Sequence, residues 1–229
     1  MSEYFHLILT QPLLNLLIWL YNVIPGQDIG LAIIALTVLV RLVLYPSFQK
    51  SLKSQKHLQD IQPQLDEIRA RHKDDKEAQT KAIMEFYQKN KINPFSSCLP
   101  LLVQLPILLA LFNVFRVGLH GDIANQLYGF VANPGAIDTY FLGVIDLAKP
   151  NAVLAVLAGG FQFVQSRMMT RRNTATTDRM AAVMNKQMIY LFPLLTVFIG
   201  LRFEAGLALY WIVTTLFAIG QQYYIMKKG

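Results

Sequence analysis

Charged side chains are scarce in this sequence: Asp, Glu, Lys and Arg make up 15% of its 229 residues, against about 25% in an ordinary soluble domain. Acids are missing altogether from the long apolar runs. Hydrophobic residues reach 54% and mean hydropathy is +0.36. Several runs approach the ~20 helical residues needed to cross a hydrocarbon core about 30 Å thick. An ordinary globular domain is thereby excluded, and an all-α polytopic membrane protein is predicted. No alternating strand pattern repeats along the chain, which argues against a membrane barrel.

Cysteine is nearly absent as well. Cys98 stands alone, so no intramolecular disulfide can form, and no zinc-type Cys/His spacing exists. The histidines His6, His57, His72 and His120 are scattered. None lies beside a Ser or Cys within an apolar run, which weighs against an intramembrane hydrolase. A Walker-type phosphate loop is missing too. With no converging catalytic pair, the expectation is a protein that is not an enzyme and carries neither cofactor nor metal.

What is present is organised by charge. Spans are predicted over 29–48, 97–116, 151–168, 187–202 and 206–226. The segments 49–96, 169–186 and 227–229 then share one side, which carries 17 of the 21 Lys and Arg when Arg167 at a span end is included. The opposite side holds Arg116, Lys149 and Arg202 together with Glu3, Asp28, Asp122, Asp138, Asp146 and Glu204. The positive-inside rule makes the basic side cytoplasmic. The amino end is then outside and the carboxyl end inside.

Residues 1–28 are expected to form an external interfacial helix, centred on 12–24 with Trp19 and Tyr21 at headgroup level. His6, Gln11, Pro12 and Asn15 interrupt this apolar segment, and Pro25-Gly26 ends it. The competing reading is a sixth span. A basic leader region and a small-residue cleavage site are both lacking, so a secretory signal is not expected. Residues 49–96 differ from their surroundings: Leu58, Ile61, Leu65 and Ile68 make one apolar stripe at helical spacing. Lys73-Asp74-Asp75-Lys76 reads as a turn, and a second helix with Ala82, Ile83 and Phe86 inward runs to about Asn90. A cytoplasmic helical hairpin is predicted, kinked or restarted at Pro63. The outer connection 117–150 should contain a short helix around 122–132. Gly159-Gly160 predicts a close helix contact. The loop 169–186 is basic, and five of the eight methionines fall between Met168 and Met188. A tight outer turn at Phe203-Glu204-Ala205-Gly206 makes the last two spans antiparallel.

Arg41 is the anomaly. It sits in the apolar run Gly30–Tyr45, where an arginine costs about 2.5–3.5 kcal/mol on insertion scales. Its head could snorkel to the basic interface roughly 10 Å away. No span carries an acid to pair with it; the polar set is Thr37, Gln104, Asn113, Gln162, Gln165, Thr214 and Thr215. A buried guanidinium without a carboxylate needs water, carbonyls or neutral acceptors. A wet groove meets that need. Its fixed positive charge would suit a small anion, a lipid headgroup or an acidic polypeptide in transit, and charge pattern does not choose among them.

Motifs do. Pro12-Leu13-Leu14-Asn15, Gly30-Leu31-Ala32-Ile33-Ile34 and Val40-Arg41-Leu42 are followed by Leu58-Gln59-Asp60-Ile61-Gln62-Pro63. Asn93-Pro94-Phe95-Ser96-Ser97-Cys98-Leu99-Pro100-Leu101-Leu102-Val103-Gln104-Leu105-Pro106-Ile107, Gly206-Leu207-Ala208-Leu209-Tyr210-Trp211 and Gln221-Gln222 complete the series. Together they resemble the YidC-type membrane protein insertases and their mitochondrial and chloroplast relatives, over nearly the whole chain. The resemblance implies a five-transmembrane-helix core with an external interfacial helix and a cytoplasmic hairpin. It also implies an intramembrane groove at Arg41, with Thr37, Gln104, Trp211 and either Gln162 or Gln165 as further lining residues. Trp211 could instead anchor at the outer interface. Implied partners are nascent membrane proteins, the ribosome, the signal recognition particle, the Sec translocon and membrane lipids, with no specific nucleic acid. The implied location is the bacterial plasma or inner membrane. Unlike many members, the sequence shows no preceding signal anchor with a large external domain, no lipoprotein-type cysteine and no long basic tail.

Overall fold

The computed structural model describes residues 3–90, 93, 99–120, 123–170 and 186–227. Most of the expected 169–186 loop, and Pro94 to Cys98 of the Asn-Pro motif, fall outside the described residues. The described chain is mostly helical. Three helices are long and apolar enough to cross a membrane, over Glu3–Val23, Leu102–Leu119 and Ala152–Met169, and a bent pair beginning at Ile29 can make a fourth.

The first helix, α1, runs Glu3–Val23 and so begins well before the expected position 12. Pro12 does not break it. A π-turn over His6–Thr10, closed by the Gln11 N–H on His6 O, precedes the proline and accommodates the residue that lacks an N–H. The same device recurs at Pro193. There a π-turn over Gln187–Leu191, closed by Phe192 N–H on Gln187 O, leads into α8, Phe192–Gly200.

Helix α2, Ile29–Val43, is capped by Asp28, whose Oδ1 accepts the Leu31 N–H at 2.9 Å. The expected span to residue 48 is cut short. The chain turns at Leu44 and restarts as α3, Tyr45–Asp60, with Pro46 in its first turn and a 65° bend from α2. Proline is favoured in a first turn and clashes with a continuing helix behind it. A second restart at Ile61 gives α4, Gln62–Arg71, again with proline (Pro63) in the first turn. After a turn through Asp75, whose carboxylate accepts the Glu77 and Ala78 N–H groups, α5 covers Lys76–Lys89. Helices α4 and α5 pack together, and Gln79 Nε2 donates to Arg69 O at 3.0 Å. Ile61 and Leu65 are buried on the stripe read from sequence. Burial also pushes the Tyr87 phenol pKa up.

Helix α6 covers Leu99–His120 and α7 Ala152–Thr170. Between them the expected helix near 122–132 is reduced to a 3₁₀ turn at Ala124–Gln126. An unpredicted antiparallel pair appears instead, β1 Tyr140–Phe141 with β2 Ile145–Asp146. Leu142 and Gly143 both take positive φ (50° and 69°) in the turn that joins the strands, as a type I′ turn requires. This ribbon packs on α2: the Leu142 N–H donates to Asp28 Oδ2 at 2.6 Å. Phe141 fills the space a side chain at Gly30 would need. Asn15 of α1 ties down the rest, donating to Gln126 O at 2.9 Å and accepting the Tyr128 N–H at 2.6 Å.

The last helix, α9, covers Ala205–Lys227, about 34 Å at helical rise. It packs against α2, α3, α6, α7 and α8, whereas α8 packs chiefly on α7. Of the two glycines expected at a close contact, only Gly159 is one: a Cβ there would overlap Val197 of α8, and Gly160 faces open space. The buried core joins Leu14, Leu17 and Ile18 of α1, Ile33 of α2, and Leu111 and Phe115 of α6.

Candidate functional site

Arg41 lies two residues before the end of α2 and is only 7% exposed. Its guanidinium does not extend along the helix surface. It sits 4.4 Å from the centroid of the Phe48 ring, a cation–π contact made by the bend at Leu44. In a straight helix these two positions would share a face yet lie about 10 Å apart. Among the described residues no carboxylate pairs with Arg41. The phenol of Tyr210 on α9 lies within its electrostatic reach.

Of the polar side chains predicted from sequence, Gln104 and Gln162 bond to α9, whereas Asn113 donates to Leu109 O of its own helix at 2.8 Å. Gln104 Nε2 of α6 donates to Tyr210 Oη at 2.6 Å. One residue further on, Trp211 turns to α7, where its Nε1 donates to Gln162 Oε1 at 3.2 Å. Thr215, one turn later on the same face, donates to that oxygen at 3.5 Å. The structure thus distinguishes the two glutamines: Gln162 joins the network, and half-buried Gln165 takes no part in these bonds. Trp211 spends its N–H inside the protein. Thr37 is buried, but its hydroxyl donates to Ile33 O of its own helix at 2.6 Å, so it lines Arg41's face without offering a free donor.

Tyr210 is the residue that sequence reading passed over. It is 3% exposed and connects Gln104 with the surroundings of Arg41. The signal was available, because a phenol in an apolar helix must find a partner for its hydroxyl. Further along α9, Thr214 Oγ1 and Gln222 Oε1 are buried and have no hydrogen-bond partner among the described residues. Gln221 Nε2 donates to Tyr45 O at 3.4 Å across the bend. An open cleft of about 510 Å³ lies beyond, between α3 and the end of α9, and Arg41 is not part of its lining. No group of His, Cys, Asp and Glu suited to a metal occurs among the described residues.

Arg41 is thus a buried arginine held against an aromatic ring inside an apolar helical bundle. The profile of the family described as 60Kd inner membrane protein matches residues 19–229. The chain belongs to that family. A relative in Fusobacterium nucleatum is 37% identical over 202 residues, covering 88% of each chain. One in Clostridium tetani is 36% identical over 197 residues, covering 86% of this chain and 81% of its own. Another, in Pelobacter propionicus, is 33% identical over 220 residues, which are 96% of this chain and only 39% of that protein. Each is named membrane protein insertase YidC. Membership of the 60Kd inner membrane protein family and the apolar helices together make this an integral membrane protein.

Proposed function

We propose that this chain is a membrane protein insertase, not an enzyme, whose substrates are hydrophilic and often acidic segments of nascent membrane proteins. The observation that carries the reading is the enclosed Arg41, with no carboxylate partner among the described residues, on a helix packed against α9, which bonds Gln104 through Tyr210 and Gln162 through Trp211. Helices α2, α6, α7, α8 and α9 form the membrane core, with the basic segments cytoplasmic, the amino end outside and the carboxyl end inside. Helix α1 lies at the outer face, and α4 with α5 is the cytoplasmic hairpin that receives substrate. Ribosome, signal recognition particle and Sec translocon are the partners this role calls for.

A translocating acid loses hydration on entering the bilayer, and the fixed guanidinium offsets part of that cost. The Gln104 and Gln162 amides and the Tyr210 phenol offer neutral hydrogen bonds. Access to the guanidinium requires α3 to swing at Leu44, carrying Phe48 off it. The substrate's apolar segment meanwhile slides into lipid along α6 and α8, and its burial supplies most of the driving force. The membrane potential adds about 2.3 kcal/mol per charge per 100 mV for acids moving outward.

Photocrosslinking from position 41 during synthesis of a small single-span protein tests the reading. Crosslinks to the acidic tail are expected. Arg41→Ala should lower insertion of that substrate roughly tenfold, the factor for about 1.4 kcal/mol of lost charge stabilisation, and Arg41→Lys should largely preserve it. Full insertion by Arg41→Ala for every substrate, or saturable anion flux through reconstituted protein that does not insert substrates, would refute it.

A further inference from the structure

Beyond the bend, α3 presents Lys53, Lys56 and His57 on one side, and its other side is seated on the protein. Phe48 and Ser51 are buried, and Gln59 Nε2 donates to Met169 O of α7 at 2.5 Å. Between the seated helix and the end of α9 lies the cleft of about 510 Å³, lined by Gln49, Lys53, Lys56, His57 and Asp60 with Tyr224 and Ile225. Its basic residues outnumber its single acid, and nothing in the proposed insertion route uses it.

Depth in the membrane decides what it holds. Helix α3 is inclined 65° to α2, so each residue advances only about 0.6 Å along the α2 axis instead of 1.5 Å. Lys53 is therefore about 6 Å beyond the end of α2, and Lys56 about 8 Å. The headgroup layer on each side of a bilayer is roughly 5–8 Å deep. With α2 and α9 read as membrane spans, on which this step rests, α2 is about 22 Å long. Lys53 and Lys56 then lie about 29 and 31 Å from its start, level with the inner edge of a core about 30 Å thick, where the cleft opens to the headgroups. Tyr223 and Tyr224, exposed at the end of α9, are residues suited to the same level, and Lys227 Nζ lies 6.0 Å from the Tyr223 ring.

We propose that this cleft binds the phosphate of an anionic phospholipid headgroup. The Lys53 and Lys56 ammonium groups donate to the phosphate oxygens. Gln49 offers an amide to headgroup hydroxyls, and the Asp60 carboxylate disfavours a second negative charge. A soluble phosphate shares this chemistry but lacks acyl chains to hold it at headgroup depth. An RNA backbone would need the lysines to project clear of the lipid surface.

The test is native mass spectrometry of the whole protein, titrated with phosphatidylglycerol or phosphatidylcholine. One phosphatidylglycerol should bind in preference. Lys53→Gln and Lys56→Gln should each weaken it roughly five-fold, the factor for about 1 kcal/mol per basic residue near an anionic surface. Lys50→Gln, on the same helix but outside the cleft, should change it little. Equal weakening by Lys50→Gln would reduce the site to diffuse surface charge and overturn the proposal. Binding of inorganic phosphate as tight as that of phosphatidylglycerol would assign a soluble anion instead and overturn it, as would displacement of the lipid by an RNA oligonucleotide. Arg41→Ala should retain the lipid while losing insertion of acidic tails. A wild-type protein that inserts substrates without lipid preference sinks the cleft alone, and lipid preference without insertion sinks the insertase reading alone.

Discussion

Gly159 and Gly160 are neighbours on α7, yet alanine should act on them differently. A Cβ at Gly159 would overlap Val197 Cγ2 and come within 3.0 Å of Pro193 O, whereas one at Gly160 meets nothing within 4 Å. Val197 is β-branched and held near one rotamer in a helix, and Pro193 O belongs to the backbone. Relief therefore requires α8 to back away from α7. Overpacking of this kind costs about 1–3 kcal/mol. Both substitutions share the same helix-propensity gain, about 1 kcal/mol at most, so the difference between them isolates the clash. Gly160→Ala should be neutral or stabilising by up to about 1 kcal/mol. Gly159→Ala should be less stable than it by about 1–3 kcal/mol. Reversible denaturant unfolding of both variants in one mixed-micelle system, followed by circular dichroism, measures that gap. Equal midpoints, or a more stable Gly159→Ala, would show that α7 and α8 are not in contact as described.

Asn15→Ala should destabilise the protein by about 2–3 kcal/mol in the same assay, because the Tyr128 N–H and Gln126 O lose a buried partner. Tyr210→Phe should cost about 1 kcal/mol and show coupling to Gln104→Ala in a double-mutant cycle; strict additivity would mean that the 2.6 Å bond is not made. Hydrogen bonds from Lys149, Thr139 and the Ala148 N–H hold the Asp146 carboxyl below its ordinary pKa of 3.8. A depressed folded-state pKa contributes stability above the unfolded value and loses it as pH falls through the folded one. Wild type should therefore exceed Asp146→Asn in stability at neutral pH, with the advantage shrinking below about pH 4; an advantage that grew on acidification would contradict the assigned bonds.

Much of this fold could be read from apolar periodicity, because lipid-facing and core-facing helices alike must satisfy their backbone internally. The stripe through Ile61 and Leu65 and the turn before Lys76 were visible for the same reason that any amphipathic helix is. Leu44 was not. Apolar residues run straight through it, and only Pro46, two positions later, records the 65° bend. Pro12 misled in the opposite direction, since the π-turn before it absorbs the missing N–H. The β1–β2 ribbon went unseen because strands of two residues leave no alternation to detect. At the candidate site Arg41 announced itself by cost, and only the bond from Trp211 singled out Gln162 from Gln165. Tyr210 looked like an ordinary aromatic in an apolar helix.

Helix α9 gathers the contacts of α2, α3, α6, α7 and α8, and it leaves the ribosome after all of them. Between synthesis of Arg41 and of Tyr210 a cell spends roughly 10–30 s at ordinary elongation rates. Once made, Gln104 and Gln162 wait out the rest of that interval with no Tyr210 or Trp211 to bond. The earlier helices can pair among themselves, α7 with α8 and α1 with α2 and α6, but the bundle stays open until α9 arrives. A chain that stalls before Ala205 carries the Gln104 and Gln162 amides without their α9 partners, the kind of client that quality-control proteases remove. Arrival of α9 and closure of the interior are one step.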